Sequence, residues 1–76
     1  MNEAELGRRI RQERRRQKLR QDELAALCGV GTRFVSELEN GKPGAEIGRC
    51  LRILAALGLE LDIRPRTWSD IAPYVQ

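Results

Sequence analysis

Seventy-six residues make one small domain, and a chain this short buries only a modest core that a metal, disulfides or a second chain often completes. Two cysteines and no histidine exclude a zinc finger, which needs four such ligands, and no metal or cofactor is expected. The net charge of +3 is uneven: residues 1–20 hold eight Arg/Lys against three Glu, and the remainder holds six against eight acidic residues. A basic end on a compact domain suits a polyanion such as DNA, against the plainer reading of a solvated helix face.

Leu, Ala, Ile, Arg and Glu dominate the sequence and favour helix. Cys28 and Cys50 are expected as two reduced, mostly buried thiols, with a single disulfide left open. Glu3 and Glu5 with no apolar run behind them do not make a signal peptide, and no stretch approaches the ~18–20 apolar residues of a membrane span. A cytoplasmic location is expected.

Leu6 and Ile10, four apart, predict a first helix from about Glu3 to Gln17. Arg14 continues that apolar stripe, so it needs a carboxylate, because an unpaired buried charge is costly. A second helix runs from about Gln21 to Cys28, with Leu24, Leu27 and Cys28 inward and Gly29 at its end. The third runs from about Thr32 to Asn40, with Phe34, Val35 and Leu38 inward. Glu39, one turn past Val35 at the edge of that face, is the expected partner of Arg14. Asn40-Gly41 and Pro43 stop this helix.

A fourth helix from about Ala45 to Leu57 is apolar on more than one side, so it is either central or shared with another chain. After Gly58, the run LELDIR alternates Leu59, Leu61 and Ile63 with charged residues, a short strand with one apolar face. No second strand is evident, so the simplest partner is the same strand of a second copy across a two-fold axis. Residues 65–76 form a tail whose Trp68 is a candidate partner-docking residue. The expected division is a domain at 1–58 and a strand and tail for dimerisation or docking at 59–76.

The central segment QDELAALCGVGTRFVSELENG carries the functional signal. Leu24, Cys28, Val30, Val35 and Leu38 are apolar, Ala25 is small where two helices would cross, and Gly29 supplies a left-handed turn residue. This is the pattern of a helix-turn-helix, whose second helix offers its N-terminal residues to base edges in the major groove. The outward residues there are Gly31, Thr32, Arg33, Ser36 and Glu37. Arg33 matches O6 and N7 of guanine, Thr32 a thymine methyl or a phosphate, and Glu37 cytosine N4. Gln21 at the start of the second helix, with Asn40 and Lys42 at the end of the third, is placed for backbone phosphates.

This segment resembles the Cro/CI-type (XRE) helix-turn-helix family over residues 5–57. The resemblance implies an all-α, lambda-repressor-like bundle of four to five helices. It matches Thr32, Arg33 and Glu37 to base contact, Gln21, Asn40 and Lys42 to backbone contact, and Arg14 and Glu39 to an internal ion pair; Ser36 on the outward face joins the expected base contacts, and Arg20 and Gly31 at the helix starts join the expected backbone contacts. Arg20 and Gly31 depart from the hydroxyl or amide residues usual at those positions, which weakens side-chain capping. The run LRILAALGLELDIR resembles HipB-type antitoxins, and that likeness implies a strand paired across a homodimer, autorepression on a palindromic operator and a HipA-like kinase partner. The alternatives are a stand-alone regulator of this type and an interaction module that binds DNA weakly. Catalysis is not expected: Ser36 has no base beside it, Gly29-Val30-Gly31 lacks a third glycine, and Gly41-Lys42 is followed by Pro43 in place of the hydroxyl residue of a P-loop.

Overall fold

The computed structural model describes residues 1–65, which form four helices: α1 (Glu3–Arg16), α2 (Gln21–Cys28), α3 (Thr32–Glu39) and α4 (Ile47–Ala56). The bounds fall within two residues of those expected, and the described part is all-α. Trp68 lies outside the described residues. No described helix is long and apolar enough to cross a membrane.

Each helix starts differently. Asn2 caps α1 by accepting from Glu5 N at 2.9 Å, with Glu3 and Glu5 in the first turn and Arg14–Arg16 in the last, as the helix dipole favours. Arg20 has no side-chain acceptor to offer α2. The reciprocal half of a capping box replaces it, with Glu23 Oε1 accepting from Arg20 N at 2.8 Å. Gly31 leaves α3 without a side-chain cap, as expected from its type. Glu46 caps α4 by accepting from the amides of Gly48 and Arg49 at 2.9 and 3.0 Å.

All four helices end in the same way. An amide two or three residues past the end bonds back five residues: Leu19 N to Arg14 O at 3.1 Å, Val30 N to Ala25 O at 3.0 Å, Lys42 N to Glu37 O at 3.0 Å and Leu59 N to Leu54 O at 2.8 Å. The residue before each of those amides has positive φ. It is glycine at 29, 41 and 58, and Lys18, with φ 59°, after α1. Gly29, with φ 66°, fulfils the role read for it in the turn.

The core is built from Ile10, Leu24, Val35 and Ile53, all fully buried, with Ala25, Cys28, Leu38, Cys50, Leu54 and Leu57 around them. α3 packs against α1 and α2, and α2 also packs against α4. Both cysteines are free and buried, and burial raises the pKa of each thiol.

One expectation needs correction, and two others concern surfaces that a single chain leaves open. Leu27 is 66% exposed, because Ala25 takes the inward place on α2 where α3 crosses closely. Ile47 and Leu51 on α4 are also exposed, so the second apolar side of that helix is not covered within the described chain. No strand occurs among the described residues: 59–65 have no regular element, Leu61 and Ile63 are exposed, and Leu59 closes the end of α4 and packs against the core. A strand exists by its ladder, and no other described segment offers this one a partner.

One packing feature escaped sequence reasoning. Gly7 on α1 is buried against the end of α3, and a Cβ there would sit 2.6 Å from Glu39 O and also strike Leu38 O. Glycine at 7 is what lets α1 reach the carbonyl end of α3.

Candidate nucleic-acid interface

A buried carboxylate fixes how α1, α2 and α3 meet. Glu39 is 2% exposed at the last turn of α3. Its Oε2 accepts from Arg14 Nε at 2.6 Å, and its Oε1 accepts from Arg14 Nη2 at 2.9 Å. This is a two-point fork on a carboxylate, the strongest form of such a pair. Arg14 Nη1 donates onward to Leu19 O at 2.8 Å, which ties the group to the turn before α2. Oε1 also accepts from Arg11 Nε and Gln21 Nε2, each at 3.2 Å. Burial pushes the Glu39 carboxyl up, but Arg14, Gln21 and Arg11 outweigh it, and the group is held below the usual carboxylate range.

Two residues expected at phosphates belong to this network. Gln21 spends one amide proton on Glu39 and keeps the second. Asn40 Oδ1 accepts from Arg11 Nη2 at 2.8 Å, which leaves its NH2 end to donate outward. Arg11 was missed from the sequence. Its signal is its place three residues before Arg14, on the flank of α1 that faces the end of α3.

The outer side of α3 divides as its period requires. Val35, Leu38 and Glu39 are buried, Phe34 is half-buried, and Thr32 and Arg33 are exposed at its N-terminus. Arg33 is the most open, its side chain 89% exposed. Ser36 and Glu37 are half-buried one turn later. Glu37 Oε1 accepts from Arg33 Nε at 2.8 Å, and its Oε2 lies 2.9 Å from Lys42 Nζ. Those two cations lower the Glu37 pKa, Lys42 first and Arg33 second. Gly31 lies at the entrance to α3 with open space where a Cβ would be.

Arg20, expected at a phosphate, is exposed and paired with Asp22 at 3.1 Å. The basic first helix is also partly self-neutralised: Arg9 pairs with Glu5, and Arg16 with Glu13, whose carboxyl falls to about 2 through hydrogen bonds from Arg16 and Gln17. Arg49 stacks over Phe34 at 5.8 Å and covers the flank of α3 facing α4. Arg33 and Thr32 thus stand at the N-terminal end of α3, and the Gln21 and Asn40 side chains gather around Glu39 at its C-terminal end, Gln21 bonded to the carboxylate directly and Asn40 through Arg11.

Comparison with known proteins agrees with this geometry. A helix-turn-helix family model, HTH_3, matches residues 10–63. The chain is 52% identical over 60 residues, 79% of each protein, to an uncharacterized HTH-type transcriptional regulator, y4mF, of Sinorhizobium fredii. The restriction-modification controller protein C.AhdI of Aeromonas hydrophila superimposes with a TM-score of 0.68 at 30% identity, over 75% of this chain and 83% of that one. Two structures containing HipB, the HipA–HipB–O2–O3 complex and the HipB–O4 20mer complex, superimpose with TM-scores of 0.80 over 88% of this chain and 94% of theirs. Their 21% identity establishes the shared lambda-repressor-like fold and nothing finer.

Proposed function

The chain belongs to the XRE-type helix-turn-helix family, a family of regulators and not of enzymes, and from that premise we propose that it is a sequence-specific repressor that binds a palindromic operator as a homodimer. The observation that carries the reading is the division of α3. Its apolar side is buried in the core while Arg33 and Thr32 stand free at its N-terminal end. In this mode the N-terminal residues of the second helix reach base edges, and a dimer sets two such helices one duplex turn apart, ~34–36 Å. Arg33 is the base reader, with Thr32, Ser36 and Glu37 beside it. Gln21 and Asn40 grip the flanking phosphates with amides whose orientation Glu39 and Arg11 fix. Lys42 adds a phosphate contact at the far end, and Arg20 and the Gly31 amide add contacts at the near ends of α2 and α3.

The dimer is proposed to form through Leu59, Leu61 and Ile63, paired with the same segment of a second copy. The exposed state of Leu61 and Ile63 in the single chain supports this. Regulation by a protein partner follows, with the chain acting as antitoxin to a HipA-like kinase and repressing their shared operon. Support for that finer step is the likeness of LRILAALGLELDIR to HipB-type antitoxins together with the shared fold. Purification from the native cell tests it: a kinase-sized protein should co-purify, and its absence leaves a stand-alone regulator.

A second reading, an interaction module with weak DNA affinity, draws on Glu37, which occupies both Arg33 and Lys42. Titration of a labelled duplex at two salt concentrations separates the two. A binder making several phosphate contacts loses affinity steeply as salt rises. Undetectable binding at low salt would favour the module.

A further inference from the structure

Glu37 holds two cations of the proposed DNA-facing edge at once. Its position is set by backbone geometry, not only by flexible side chains. Arg33 precedes it by one turn of α3, and the closing bond of that helix, Lys42 N to Glu37 O at 3.0 Å, folds Lys42 back beside it. The carboxylate then receives Arg33 Nε at 2.8 Å on one oxygen and lies 2.9 Å from Lys42 Nζ with the other. Arg33 and Lys42 are otherwise open, their side chains 89% and 59% exposed, and neither has another carboxylate partner among the described residues.

We propose that Glu37 is an electrostatic filter: by holding Arg33 and Lys42 within the protein it lowers the sequence-independent affinity of this edge for duplex phosphates. The inference rests on the reading that α3 faces a duplex. The magnitudes favour it. An exposed ion pair is worth a factor of about 1.4–5, so releasing two is unfavourable by roughly 2–25-fold. A phosphate contact gains from counterion release, and that gain shrinks as salt rises, so the pairing offsets part of it at moderate salt. A bidentate contact from arginine to guanine is worth about 5–150-fold, enough to offset the release at a matching site. Glu37 thus lowers affinity on every sequence, and a matching guanine contact makes up the loss. Its carboxyl is held below the usual range by the same two cations, so it is fully charged at neutral pH.

The test is fluorescence anisotropy with a labelled duplex pool of random sequence, about 20 base pairs long, at about 50 and 200 mM salt. The full chain is compared with Glu37→Gln, with Arg33→Ala/Lys42→Ala, and with the triple variant; Glu37→Ala repeats the first, and matching thermal melts establish folding. Glu37→Gln should tighten binding to the random pool by about 3–10-fold and steepen the salt dependence by roughly 0.9–1.8, the signature of one or two more phosphate contacts. The gain should fall below about twofold when Arg33 and Lys42 are absent. An equal gain in that background would make Glu37 a simple repelling charge and overturn the filter. Unchanged or weaker binding by both Glu37 variants, with salt-sensitive binding by the parent chain, would overturn the filter alone. No binding by any form at low salt would remove the DNA-facing reading and the filter together.

Discussion

Glu39 concentrates more of the structure than any other side chain. It is buried, takes a two-point fork from Arg14, and holds Arg11 and Gln21 as well. Removing one partner of a buried pair leaves the other charge uncompensated, which costs about 3–5 kcal/mol. A chain of this size has little more stability than that to lose. Glu39→Gln is therefore expected to melt far lower, while Arg14→Met/Glu39→Leu, which removes both charges, recovers most of the loss. Failure of the double change to recover would point to the Gln21 and Arg11 bonds as the larger share. The pH dependence follows from the lowered Glu39 pKa. As pH falls, the unfolded chain takes up its proton first, so this contribution is present above the ordinary carboxylate value of 4.5 and is lost as pH drops through the lower folded value. Melting followed against pH should show this acid loss in the parent and a weaker one in the double variant. The Arg14–Glu39 pair was legible because a charge on an apolar stripe must be matched. Arg11 and Gly7 were not, because their roles depend on how closely α1 approaches the end of α3, and no spacing along the chain encodes that distance.

At the scale of elements, the helix ends explain where the chain turns. The same closing bond ends all four helices, and each needs a positive φ in the residue before it. Three positions are glycine; the fourth is Lys18, and a side chain in that conformation costs roughly 1–2 kcal/mol. Lys18→Gly is expected to raise stability by ~0.5–1 kcal/mol in chemical denaturation, after the greater freedom of the unfolded chain is allowed for. The start of α3 offers the complementary case. Gly31 has ordinary extended backbone, φ −77°, and open space at its Cβ, so a serine fits and can cap the helix. Gly31→Ser should stabilise by ~0.5 kcal/mol; a loss would mean that the entry to α3 needs the glycine for a reason the free chain does not display. Gly29 and the crossing at Ala25 could be read in advance because turn chemistry is local. Leu27 could not: on an eight-residue helix, two faces fit the same apolar spacing, and only the neighbour's position selects one.

For the whole molecule, Leu27, Ile47, Leu51, Leu61 and Ile63 remain exposed on the single chain, an apolar allotment that suits a protein completed by a second copy. The alternation of LELDIR was visible in the sequence, but a strand is a property of two segments, and the described residues hold one. Leu59 has a separate duty in closing α4, so the informative truncation removes residues 61–76 and leaves that bond in place. The proposed shared strand predicts a dimer by light scattering for the full chain and a folded monomer for the truncated one. An unchanged dimer after truncation would move the interface to the α4 face of Ile47 and Leu51.

The central claim is that α3 reads bases through Arg33. Duplexes selected from a random pool by the full chain, then varied one base pair at a time, test it directly against Arg33→Ala. The variant should lose ~1–3 kcal/mol on the selected duplex and lose its preference at one base position in each half-site, with discrimination elsewhere intact. An equal loss on every duplex, with the preference at all positions unchanged, would make Arg33 a phosphate contact and contradict the account.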